Sequence, residues 1–308
     1  MARTRVVIDT DPGVDDAVAI LLALASPELD VVALTTVAGN VDLAKTTLNA
    51  RRLLDLAQRP DVVVAAGAAQ ALAGPHGHEG DVHGRDGLGD LAWDEPKVGV
   101  DAADAPDLIW RLATTAPLTI VAIGPLTNLA NLLARHPDAA SVVERVVIMG
   151  GASFEGNVTP AAEFNVWADP EAAANVFAAP WPITVMPLDL THQATLDDDD
   201  LADLRALGNE VGRRTADMLE PYAAFHERWY GTRDVIMHDA MAVYELVAPG
   251  AITTQGVAVA VETEGRHSRG ATWFDRRREH SDSNTRVGVS VDNDRFVALL
   301  RERLATLP

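Results

Sequence analysis

Val6-Val7-Ile8-Asp9-Thr10-Asp11-Pro12-Gly13-Val14-Asp15-Asp16-Ala17 is the stretch around which the rest of the chain is organised. Val6 to Ile8 read as a buried strand and Ala17 to Ala25 as the helix that follows it. Alternation along the strand sends Asp9 and Asp11 to one side, while Asp15 and Asp16 stand at a helix start whose free amides favour negative charge. Four carboxylates therefore converge at one strand-to-helix turn, where open α/β sheets place their ligand crevice.

Like charges held this closely repel strongly at low dielectric, so the folded chain must protonate, solvate or neutralise them. A hard divalent cation does this with oxygen ligands alone, and the cluster holds no histidine or cysteine that would suit zinc. Calcium tolerates the irregular oxygen shell that a loop and a helix start supply, so Ca2+ is the expected ion. A helix cap and solvated loop carboxylates would explain any one of these residues, but not all four around a Pro-Gly turn.

The 308 residues suffice for a full core, with 48% hydrophobic residues and 23% charged ones, a balance that excludes disorder. No apolar run reaches the roughly 20 residues of a membrane span. The opening Met1-Ala2-Arg3-Thr4-Arg5 lacks the pattern of a secretory signal, which makes a cytoplasmic location the expectation. The absence of cysteine removes disulfides and thiolate chemistry. A net charge of −20 opposes binding to nucleic acid or an anionic membrane, and a small neutral substrate fits better.

Outward from the first turn, β-branched runs alternate with helical segments. Val31 to Val37, Leu43 to Leu56 and Val62 to Ala66 come first, then Leu118 to Ile123 with a helix to about Ala134, Arg145 to Gly151, and Ile183 to Leu188. The rhythm predicts six parallel strands joined by crossover helices. Residues 74 to 90 are too glycine-rich for regular structure and read as a long loop. Asp197-Asp198-Asp199-Asp200 is explained by an acidic first helical turn, without a ligand. From Val211 to Ala248 the pattern is helical, broken near Gly231, and its aromatics at Tyr222, Phe225, Trp229 and Tyr230 have the spacing of core residues. Strands at Val257 to Val261 and Val287 to Val291 and a helix from Asp294 to Leu304 close the chain. No linker or repeat divides it, so residues 1–308 are expected to form one domain.

Four further places carry polar residues that packing does not require: Gly39-Asn40, Met149-Gly150-Gly151, Glu163-Phe164-Asn165 and His238-Asp239-Ala240. Together with Asp9 to Ala17, Gly124-Pro125-Leu126-Thr127-Asn128, Asp169-Pro170-Glu171-Ala172 and Leu188-Asp189-Leu190-Thr191, they closely resemble the nucleoside hydrolases, the inosine-uridine preferring N-ribohydrolases. The resemblance spans nearly the whole chain in the family's order. It implies an α/β fold with a mostly parallel, Rossmann-like central sheet flanked by helices and the active site at the strand C-termini.

It further implies calcium-dependent hydrolysis of the N-glycosidic bond of ribonucleosides to free base and ribose. The ion would be held by Asp11, both oxygens of Asp16, the main-chain carbonyl of Thr127 and Asp239, with Asp9 behind them. Asp15 would be the general base that deprotonates the attacking water. Asn40, Glu163 and Asn165 would hold the ribose hydroxyls, Met149 would pack beneath the sugar, and His238 would protonate the leaving base. His83 matches a histidine that some members use near the base, although His76 and His78 share its loop. Tyr222, Phe225, His226, Tyr230 and Arg233 fall where the family builds its variable base pocket, and Trp167 stands where relatives often have a smaller aromatic. Family members are commonly homodimers or homotetramers.

The chemistry agrees with these roles: an oxocarbenium-like transition state needs anions near the sugar, a nucleophilic water and a way to discharge the base. Two rival readings remain at this level. A metal-dependent phosphatase would also use carboxylates after a first strand, but no phosphate-cradling glycine motif is present. A non-catalytic nucleoside binder keeping calcium for structure would have lost Asp15 or His238, and both are there.

Overall fold

The computed structural model describes residues 3–74, 82–101, 103–278 and 283–308. His76 and His78 lie outside these residues. Strands β1 (Thr4–Thr10), β2 (Leu29–Thr36), β3 (Val63–Ala66), β4 (Thr119–Ala122), β5 (Arg145–Met149) and β6 (Ile183–Met186) form the first two thirds of the sheet. Among them run α1 (Val14–Ala25), α2 (Leu43–Leu56), α3 (Ala105–Ala113), α4 (Thr127–Arg135), α5 (Ala139–Val142), α6 (Phe164–Ala168), α7 (Pro170–Ala178) and α8 (Leu188–Thr191). The remainder comprises β7 (Thr195–Leu196), α9 (Asp198–Arg205), α10 (Glu210–Tyr230), β8 (Val235–Ile236), α11 (Ala240–Val247), β9 (Ile252–Val261), β10 (Thr272–Asp275), β11 (Thr285–Val291) and α12 (Asn293–Leu304).

Nine of these strands make one sheet in the order β10-β9-β11-β6-β5-β4-β1-β2-β3. The six strands expected to be parallel are parallel, and β11 joins them by pairing parallel to β6. The pairings of β9 with β11 and of β10 with β9 are antiparallel. Strand β10 escaped the sequence reading because its four residues show no alternation among the glycines and charges around them. The two-residue partners β7 and β8 are too short to leave any pattern.

The alternation of side chains along the inner strands divides the core in two. Val6, Ile8, Val121 and Val147 face α1, α11 and α12, whereas Val7, Ile120, Ala122 and Val146 face α3, α4 and α7. Continuous apolar strands of this kind are what a sheet covered on both faces requires. Among the described residues no helix is long and apolar enough to cross a membrane.

The order of the strands positions the site. From β1 the chain winds outward through β2 and β3, then returns to β4 on the other side of β1 and winds away through β5 and β6. The reversal leaves a crevice at the C-terminal ends of β1 and β4, the place where doubly wound sheets bind ligands. The acidic run at residues 197–200 lies elsewhere and acts as expected: Asp197 accepts the Asp200 N–H at 2.9 Å and donates its own to the Asp200 carboxylate, capping α9.

Candidate active site

Asp11 to Gly13 leave the end of β1, and α1 begins at Val14, so the first turn of α1 carries Asp15 and Asp16 into the crevice. Asp16 is fixed by Thr10 Oγ1 (2.5 Å), Gly13 N (2.9 Å) and Asn40 Nδ2 (3.0 Å). Asp11 accepts the Asn40 N–H at 2.7 Å through Oδ2, while its buried Oδ1 has no hydrogen-bond partner. A Cβ at Gly39 would come within 2.0 Å of that carboxylate, so only glycine admits it.

Asp239 reaches the same place from just before α11, which packs on α1. Asp15, Asp16 and Asp239 each offer an oxygen within 4.8 Å of the others. Asp9 does not join them. It points sideways to Thr35 Oγ1 (2.5 Å) and Asn128 Nδ2 (2.8 Å), because β1 still holds it in register with Thr35 of β2. The alternation that put Asp9 and Asp11 on one side applies only within the strand, and the strand ends at Thr10.

Burial dominates the electrostatics. It pushes Asp15 and Asp16 up to about 6, and Asp9 to about 7 against its hydrogen bonds from Thr35 and Asn128. Asp11 and Asp239 are driven well above the ordinary carboxylate range, by burial first and then by repulsion from Asp16 and Asp15. A hard cation relieves that strain, and an unpaired buried carboxylate oxygen among oxygen donors fits one. Thr127 opens α4 after β4, and its hydroxyl donates to Asp169 Oδ2 at 2.6 Å.

Beside the carboxylates lies a cleft of about 530 Å³. Asp15, Asn40, Met149, Glu163, Asn165, His83, His238 and Asp239 all line it. Glu163 caps α6: its carboxylate accepts amides from Gly151 (2.8 Å), Asn165 (2.7 Å) and Val166 (3.1 Å), and burial raises its pKa. The side-chain amides of Asn40 and Asn165 are committed to main-chain carbonyls and carboxylate, Asn165 Nδ2 donating to Ile123 O at 3.1 Å. Their amide oxygens keep acceptor capacity, which suits hydroxyl donors.

The far wall is aromatic and basic. Tyr222, Phe225, His226, Trp229 and Tyr230 line the cleft from α10, so the stripe runs from the core, where Tyr222 is buried, out along the cleft wall. Trp229 and Tyr230 are 69% and 54% exposed. Periodicity identifies a face and cannot say what covers it. Arg233 does not line the cleft; it pairs with Asp198 and Glu220. Trp167 sits half-buried on α6 beside Phe164.

His83 is buried, stacks on Tyr222 with ring centroids 5.5 Å apart, and accepts the Val14 N–H at Nδ1 (3.1 Å). Burial lowers it to about 4, so its 3.8 Å approach to Asp15 is no ion pair at neutral pH. His226 donates from Nδ1 to the Asp234 carbonyl (2.9 Å) and is likewise lowered to about 4. His238 lies 2.8 Å from Thr191 Oγ1 through Nδ1, and burial takes it well below the usual histidine range. Asn157 and Arg228 also line the cleft without a signal in the sequence, and Phe164 joins them from the Glu163-Phe164-Asn165 segment. Asp169, Asn128 and Asn49 sit behind it, and a lone polar residue in a helix or loop carries no pattern that reveals such a role.

A family model described as inosine-uridine preferring nucleoside hydrolase matches residues 6–298. A pyrimidine-specific ribonucleoside hydrolase RihA from Photobacterium profundum is 42% identical over 305 residues, covering 97% of this chain and 98% of its own. The RihA of Shewanella woodyi is 41% identical over 306 residues, with 98% of each chain covered. Among solved structures, a plant nucleoside hydrolase superposes with a TM-score of 0.92 at 37% identity over 99% of this chain and all of its own. A purine-preferring ribonucleoside hydrolase from Gardnerella vaginalis gives 0.93 at 31% identity, with 98% of each chain covered.

Proposed function

Since the chain belongs to the inosine-uridine preferring nucleoside hydrolase family, we propose that it cleaves ribonucleosides in the cleft beside Asp15 with the help of a bound Ca2+. The chain is a nucleoside N-ribohydrolase; the ion's identity and the residue roles are the proposal. The observation that carries it is the meeting of buried carboxylates with a cleft lined by Asn40, Glu163 and Asn165. The whole of residues 1–308 is read as one domain, since both apolar clusters share the same inner strands.

Asp11, Asp16, Asp239 and the Thr127 carbonyl would hold the ion, whose charge compensates the carboxylates and lowers the pKa of water beside them. Asp15 takes the proton from the attacking water; burial makes its carboxylate more basic than an exposed one, and the charge of the ion would keep it ionised at neutral pH. Asp11 supports a second assignment, because its partnerless Oδ1 could take that proton instead.

Asn40, Glu163 and Asn165 accept from the ribose hydroxyls, and Met149 supports the sugar. The neighbouring carboxylates stabilise the positive charge that grows on the ribosyl ring. His238, neutral at physiological pH and hydrogen-bonded through Nδ1 to the Thr191 hydroxyl, would in its Nε2–H tautomer hydrogen-bond the leaving base and stabilise its negative charge. His83 forms a fixed wall beside it. The relatives named pyrimidine-specific make uridine and cytidine the substrates to try first, ahead of inosine and guanosine.

Release of free base from this panel tests the reaction, and 2′-deoxyuridine tests the sugar site. A site committed to the hydroxyls rejects the deoxy analogue by about 10⁴-fold in kcat/KM, because lost hydroxyls leave buried polar groups unpaired. Comparable cleavage of uridine and 2′-deoxyuridine would remove Asn40, Glu163 and Asn165 from the assignment.

A further inference from the structure

Asn49 lies in the middle of α2, wholly buried, and touches no part of the cleft. Its Nδ2 donates to two main-chain carbonyls at once: Pro12 at 3.1 Å and Asp86 at 2.7 Å. Pro12 stands between Asp11 and Gly13 in the acidic turn. Asp86 stands three residues beyond His83 in the loop that carries it. We propose that Asn49 is a positioning residue whose side-chain amide ties the Asp11–Asp16 turn to the His83 loop and so fixes the His83 ring against the cleft.

The surroundings are built for this bridge. Arg52 donates to Asn49 Oδ1 at 3.1 Å, which fixes which end of the amide faces the carbonyls, and the same guanidinium lies 3.8 Å from the Asp86 carboxylate. Gly87 has φ +90°, and a Cβ there would come 2.8 Å from Asn49 Nδ2 and 3.0 Å from the Pro12 oxygen. The loop can approach only because that residue is glycine. Beyond it, the Asp86 carboxylate accepts the N–H groups of Leu88 and Asp90, both at 2.9 Å, and Gly89 N donates to the His83 carbonyl at 3.0 Å, so hydrogen bonds link His83 to Asp86 across the loop. The last link is His83 Nδ1 on Val14 N, at the first residue of α1. Aspartate could not replace Asn49, since a carboxylate facing two carbonyls has no proton to give.

The proposal rests on His83 as a wall of the nucleoside cleft, and two readouts separate the two ideas. In the folded protein, the imidazole signals of His83, identified by their loss in His83→Ala, report the ring's position by NMR. Asn49→Ala should shift or broaden them and leave the signals of the distant His136 in place. Hydrolysis of uridine supplies the second readout as a cycle: Asn49→Ala lowers kcat/KM by about 10- to 100-fold, the scale expected for ångström misplacement, yet adds less than about twofold on top of His83→Ala. Unchanged His83 signals in Asn49→Ala, or full additivity of the two losses, overturn the role of Asn49. Unchanged turnover in His83→Ala alone overturns the His83 reading and leaves the NMR result to decide for Asn49. If Asn49→Ala does not fold, Arg52→Met removes only the guanidinium that orients the amide and is read by the same two measurements.

Discussion

Asp15→Asn lowers kcat for uridine by about 10² to 10⁴-fold, the usual contribution of a general base, while the folded chain keeps its affinity for the divalent ion. Asparagine preserves the shape and the first-turn position of Asp15 but cannot accept the proton from water. The retained ion affinity is expected if the ligands are Asp11, Asp16 and Asp239, as proposed; although Asp15 lies within 4.8 Å of Asp16 and Asp239, in that assignment it faces the attacking water. Calorimetric titration with Ca2+ beside steady-state kinetics reads both halves. Asp11→Asn is the control: it should weaken the ion and turnover together. Normal turnover in Asp15→Asn, with Asp11→Asn inactive even at saturating ion, would pass the base to Asp11.

Removing the ion is the second large effect, and its sign with pH is specific. Asp15 and Asp16 are raised from 3.8 to about 6 and Asp9 to about 7, so the metal-free folded chain holds protons that the unfolded chain releases. Stability from these groups is therefore fully present below about pH 3.8 and lost as pH rises through 6 and 7. At about 1.4 kcal/mol per unit, the summed loss is on the order of several kcal/mol. After chelation the melting temperature should fall between pH 5 and pH 7.5, and saturating Ca2+ should remove the part of the fall that comes from Asp15 and Asp16, leaving that of Asp9. Hydrolysis at pH 7.5 should drop by at least about 10³-fold and return with the ion. A stripped chain as stable at pH 7.5 as at pH 5 would contradict the reading of the cluster as a cation site.

What the sequence makes legible is what short-range pattern can encode. The turn from Asp9 to Asp16 is local, so its strand, its helix start and most of its carboxylates are readable without the fold. Asp239 is not local: only the packing of α11 on α1 brings it to Asp16, and its place among the expected ligands came from resemblance. Asp9 shows the limit on the other side, because a difference of two positions decided whether a carboxylate stayed in strand register or entered the turn. The aromatics of α10 were visible as a stripe, but whether a stripe meets core or cleft depends on what the rest of the chain lays against it. Asn49 could not be seen at all, since its two partners are carbonyls, which every residue has.

The crossing of the chain back to β4 beside β1 also bears on how this enzyme comes to be folded. Strand β1 pairs with a strand more than a hundred residues further on, and the Asp16–Asp239 meeting joins positions more than two hundred apart. Contacts of such long range close late, because loop entropy must be overcome before they gain anything. Until α11 has been made and packs on α1, Asp16 lacks Asp239 beside it, so the full electrostatic cost of the cluster falls due only with that long-range contact. A cation held by the completed cluster would bind the folded chain and not the unfinished one, and would stabilise the fold by mass action.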